Sequence, residues 1–62
     1  MTTMWKGRVD YSLDGERKLV ESPVKFSKKM AQYAIDRLVR AIRLQGGRVH
    51  LTELLIAKEE IS

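Results

Sequence analysis

A chain of 62 residues with no cysteine and a formal net charge of +4 has room for one small domain, and for no disulfide, thiolate metal site or cysteine nucleophile. Its core must be small, so the fold depends on efficient helix packing or on a partner that covers part of its apolar surface. The excess of base favours an acidic partner, either a protein surface or a nucleic acid, and the sequence carries no signal-peptide run and no apolar stretch of membrane-spanning length, which makes the cytoplasm the default location.

Residues 1–10 have no helical period and read as a flexible N-terminal arm, with Trp5 packed on the edge of the domain. Residues 11–62 then form a single helical domain. Val9, Tyr11 and Leu13 alternate and Asp14-Gly15 is a hairpin signal, but Arg17, Leu19 and Glu21 make no coherent apolar face for a second strand. A short helix over Leu13–Glu21 accounts for more: Ser12 is a good N-cap, Asp14 and Glu16 suit the positive end of the dipole, and Pro23 stops the segment at Ser22.

The strongest periodic signal runs from Val24 to Gln45. At about 100° per residue, Met30, Ala31, Ala34, Ile35, Leu38, Val39, Ala41 and Ile42 share one apolar arc, and Lys28, Lys29, Gln32, Asp36, Arg40 and Arg43 lie opposite. The arc is too wide for a single neighbour. Gly46-Gly47 supplies a left-handed C-cap, with Arg43 in the last turn where a cation suits the dipole. After a link at Arg48-Val49, His50 or Thr52 caps a third helix whose apolar side is Leu51, Leu54, Leu55, Ala57 and Ile61; His50 and Glu53 have the spacing of a capping box. The expected fold class is all-α: three helices, short, long central and short, in one small open orthogonal bundle.

The order Tyr11-Ser12, Glu16, Leu19, Pro23, Phe26 and Lys28-Lys29, followed by Val49 and Ala57-Lys58-Glu59, resembles the small C-terminal domain of the B subunit of light-independent protochlorophyllide reductase and its short free-standing relatives. Tyr11 stands where that family usually has Trp, Lys25 interrupts its aromatic pair, and the connection before Val49 is longer. The resemblance implies an accessory or interaction module linked to chlorophyll biosynthesis or photosynthesis, with the catalytic domains and their cluster absent. A second resemblance, in AIRLQGGRVHLTELLIAKEE, is to the end of a histone central helix with its loop and third helix. It implies a basic nucleic-acid-binding homodimer with Arg48 meeting phosphate.

Lys28, Lys29, Arg37, Arg40, Arg43 and Arg48 form the candidate interaction face, with Asp36 the one acid among them. Arg37 lies between Met30 and Leu44 at the margin of the apolar arc, where its stem can be covered and its head kept wet. Phe26, Met30 and Tyr33 read as core packing at helical spacing. No catalytic, cofactor or metal site is expected: His50 is the only histidine, Ser12, Ser22, Ser27 and Ser62 have none in their sequence neighbourhood, and the adjacent Glu59 and Glu60 point apart on a helix. The expected protein is non-catalytic, monomeric or weakly dimeric, and binds an acidic protein surface; the alternative is the histone-like nucleic-acid binder.

Overall fold

The computed structural model describes residues 2–60, with side chains from Thr3 to Lys58. Along the chain come strand β1 (Thr2–Leu13), strand β2 (Glu16–Glu21), helix α1 (Lys28–Leu44) and strand β3 (Arg48–Glu60). The strands form one antiparallel sheet in the order β2-β1-β3, and α1 lies across one face over β1 and β3. The fold is therefore α+β, and the expected all-α, three-helix domain is overturned.

Residues 2–10, expected as an arm, form most of the central strand, paired along β3 from Thr2 to Ser12. The expected first helix is a hairpin: Leu13 pairs with Glu16, and both intervening residues take positive φ, 53° at Asp14 and 79° at Gly15, as a two-residue type I′ turn requires. The missing apolar face on β2 was no obstacle, because this edge strand supplies little more than Val20 to the core and pairs its charges with β1. The expected third helix is β3, in which Leu51, Leu54, Leu55 and Ile56 serve two faces of a strand rather than one face of a helix. Ile61, assigned to that helix, lies outside the described residues, as do Met1 and Ser62.

The central helix does form, but later than the periodicity suggests. Lys25 is held to Trp5 by a pair of backbone hydrogen bonds of 2.7 Å, so the chain is still extended there. Helix α1 starts only after Ser27, whose hydroxyl accepts from the Met30 N–H at 3.1 Å as an N-cap. Its end follows the sequence. Gly46 has φ 86° and donates its N–H to the Arg43 carbonyl, while the Gly47 N–H reaches the Ile42 carbonyl, the paired bonds of a Schellman motif.

On β1 the odd positions face the helix and the even ones face away. Val9, Ile35 and Ile42 make the core, with Tyr11, Val20, Leu38, Val39, Val49 and Leu54 packed around them. Ala31 is also fully covered. Gly7 lets α1 approach β1: a Cβ there would overlap the Cγ1 of Ile35.

Candidate functional site

The cations divide by face. On the open face of the sheet, Arg8 donates to Glu21 through Nε at 3.1 Å and Nη2 at 3.0 Å, and Lys6 Nζ lies 3.2 Å from the same carboxylate. Arg17 clamps Asp10 through Nε at 3.1 Å and Nη2 at 2.8 Å. Hydrogen bonds from Arg8 and then Lys6 hold the Glu21 carboxyl below its ordinary value, as those from Arg17 do for Asp10. Because both values are lowered on folding, their stabilisation is complete above the ordinary carboxylate values of 4.5 and 3.8 and disappears as pH falls through the depressed ones. The thermal midpoint should decline modestly in acid, these pairs being solvent-exposed, and Glu21→Gln should flatten the decline; a midpoint with the same acid slope in Glu21→Gln would show that the pairs of Glu21 with Lys6 and Arg8 contribute nothing.

The outer side of α1 is different. Lys25, Lys29, Arg37, Arg40 and Arg43 make no ion pair among the described residues, and Asp36 is the helix's one acid. Large apolar side chains stand open beside them. Phe26 is 73% exposed, Tyr33 66%, Met30 51% and Leu44 82%, so the expectation that Phe26, Met30 and Tyr33 are core is overturned. The helix sits over β1 and β3 and not over β2, so the sheet covers only the part of the arc around Ala31, Ile35 and Ile42. The remainder faces outward on the β2 side. Lys25, Lys29, Met30, Tyr33, Ala34 and Arg37 line one shallow groove there, and it continues past Arg37 and Arg40 toward Ala41 and Leu44.

Of the six residues expected to form one face, Lys29, Arg37 and Arg40 lie along this flank. Lys28 turns the other way, with Nζ 5.0 Å from the centre of the Trp5 ring, a cation–π contact. Arg43 borders a separate depression with Asp36 and Val39. Arg48 is on β3 opposite Ser12, at the far end of the sheet. Lys25, which precedes the helix, joins the groove instead. The backbone there is a β-bridge to Trp5 rather than the helix that the periodicity predicts.

The fold also brings together two residues far apart in sequence. His50 Nε2 lies 2.6 Å from Ser12 Oγ. The pair lies exposed on the sheet surface, and Asp10, on the same strand as Ser12, is committed to Arg17. The contact is a hydrogen bond between neighbouring strands β1 and β3. Ser22 is the buried hydroxyl, and it is used structurally: it accepts from the Gly7 N–H at 2.8 Å. Among the described residues no group of three His, Cys, Asp or Glu is placed to hold a metal ion, and no helix is long and apolar enough to cross a membrane.

No family model, curated protein or solved structure matches the chain, and nothing links it to protochlorophyllide reductase. The residues that carried that resemblance, Tyr11-Ser12, Glu16 and Leu19 among them, lie in β1 and β2. The short-long-short helix order on which the histone resemblance rested is absent as well.

Proposed function

We propose that this protein is a non-catalytic binding module that seats an acidic, partly apolar protein segment along the outer flank of α1. The observation that carries the reading is the division of charge. Lys6, Arg8 and Arg17 on the sheet are paired with Glu21, Glu53 and Asp10, whereas Lys25, Lys29 and Arg37 line a groove with exposed Met30 and Tyr33 and make no ion pair among the described residues, and Arg40 follows beside Tyr33 and Leu44. Apolar anchors ringed by one sign of charge complement an amphipathic acidic segment, with the apolar contacts supplying affinity and the charges supplying orientation and on-rate. The same charges weigh against self-association through this flank, since a second copy would bring Arg37 and Arg40 against their own kind.

The test is titration with a synthetic acidic amphipathic peptide over a salt series, beside a charge-matched peptide lacking apolar anchors and a short DNA duplex. Binding to the first peptide should weaken with salt, and Arg37→Glu with Arg40→Glu should lower affinity at least roughly tenfold, the loss of about 1.4 kcal/mol or more. Arg48→Glu should leave binding unchanged. Equal binding of both peptides, or a duplex bound with a steep salt slope that Arg48→Glu also reduces, would replace this reading with an electrostatic or nucleic-acid one.

A further inference from the structure

The two edges of the sheet are treated differently. β2 is short, Glu16–Glu21, carries Arg17 and Lys18, and is closed off by Pro23, which are common ways of preventing an edge from pairing. β3 runs from Arg48 to Glu60 with neither proline nor glycine, and no other element covers its outer side among the described residues. Register shifts fall between Met4 and Trp5 and between Asp10 and Tyr11, so the regular stretch between them is Leu51–Ile56, whose only charge is Glu53. Leu51 and Ile56, at its two ends, are each about half exposed.

The hydrogen bonds of β1 show which backbone groups of β3 point outward. Trp5 exchanges bonds with Lys25, and Gly7 bonds to Ser22 through both its N–H and its carbonyl, so the odd residues of β1 aim their backbone at β2. By the alternation of a strand, Lys6, Arg8 and Asp10 aim theirs at β3, where they stand opposite Leu55, Glu53 and Leu51. The N–H and C=O groups of Thr52, Leu54 and Ile56 are therefore the ones that point away from the sheet.

We infer that β3 pairs antiparallel with β3 of a second copy, about a two-fold axis through Leu54 normal to the sheet. In that register Leu54 faces its own counterpart, and Thr52 faces the second copy's Ile56. All three outward residues form hydrogen-bonded pairs, with about six backbone bonds across the seam. Glu53 stands opposite Leu55. A shift that centres the axis on Glu53 sets like charges side by side, and one that centres it on Leu55 moves Thr52 opposite Lys58 and out of the apolar run. The occupant is a second copy because the outward-pointing groups of Thr52, Leu54 and Ile56 are symmetric about Leu54, so the same segment supplies both sides of the seam. The fully covered apolar residues among those described are only Val9, Ala31, Ile35 and Ile42, which leaves a chain of this size in need of further burial. Such a two-fold keeps both helices on the same face of a continuous six-stranded sheet. With strands about 4.8 Å apart and α1 lying over β1 and β3, the two helices come to roughly 10 Å, the spacing of packed helices.

The test uses the full chain. Sedimentation equilibrium should give a dimer mass at micromolar to sub-millimolar concentration, and the Thr52, Leu54 and Ile56 amides should gain exchange protection as concentration rises. Thr52→Pro removes an N–H that β1 does not use; by deleting one bond per copy it should weaken dimerisation roughly ten- to hundredfold while the circular dichroism of the fold is retained. Should that variant unfold, Ile56→Lys, at a half-exposed position, serves the same purpose. In a dimer of one labelled and one unlabelled copy, an Hα–Hα contact between Glu53 and Leu55 fixes the register. A monomer throughout the range, or a dimer whose mass and amide protection neither variant alters, overturns the inference.

Discussion

Replacing Gly7 by alanine should destabilise the fold by about 2–3 kcal/mol, at the upper end of what overpacking a well-filled core costs. A methyl at this position would overlap Cγ1 of Ile35 and come within 2.7 Å of its Cδ1. Ile35 is itself buried and β-branched on a helix, where one rotamer dominates, so relief requires the whole helix to lift from β1. For a domain of this size the midpoint should fall by roughly 10 °C or more. The double mutant makes the cause visible. Ile35→Ala alone should cost about 2–4 kcal/mol through lost burial and a cavity. In that background the nearest side-chain atom remaining is Cβ, at 3.5 Å, and Gly7→Ala should then be neutral or stabilising. If Gly7→Ala costs the same in both backgrounds, the glycine is needed for some reason other than the approach of the helix.

Ser22→Ala should cost about 1–3 kcal/mol, because it leaves a buried N–H without an acceptor. In a regular ladder Gly7 would exchange bonds with the backbone of residue 22. Here the Ser22 N–H does donate to the Gly7 carbonyl at 2.8 Å, but the return bond goes from the Gly7 N–H to the Ser22 hydroxyl, also at 2.8 Å, and that hydroxyl donates to the Pro23 carbonyl at 3.1 Å. The side chain takes the place of a carbonyl where the chain leaves the sheet toward Pro23. Chemical denaturation measures the total cost, and amide exchange at Gly7 localises it. The Gly7 amide should exchange faster in Ser22→Ala than its neighbours do, and a uniform change across β1 would count against this assignment.

The boundaries of α1 show how far local chemistry reaches. Its C-terminus was legible because Gly46 and Gly47 act within a few residues of the carbonyls they satisfy. Its N-terminus was not, because the extended conformation of Lys25 is imposed by Trp5, twenty residues earlier in the chain. The candidate face divides in the same way. Lys29, Arg37 and Arg40 share a flank because helical geometry alone places them there. Helical geometry also puts Lys28, nine residues before Arg37, on the opposite side of the helix, where it meets Trp5, whereas Arg48 was carried to the far end of the sheet by its pairing with Ser12. The width of the apolar arc on α1 was also in the sequence; which part of it the sheet covers was not.

The sequence by itself determined one central amphipathic helix, its glycine terminator, the Asp14-Gly15 turn that a hairpin could use, and the concentration of base along one stretch. All of these depend on residues within a turn or two of one another. Only the tertiary structure decided that Thr2–Leu13 and Arg48–Glu60 are strands, since neither can satisfy its backbone alone and each acquires its conformation from the other across more than half the chain. It also decided that Phe26, Met30 and Tyr33 face outward, because a three-stranded sheet is too narrow, and α1 too far from β2, to cover the whole apolar arc.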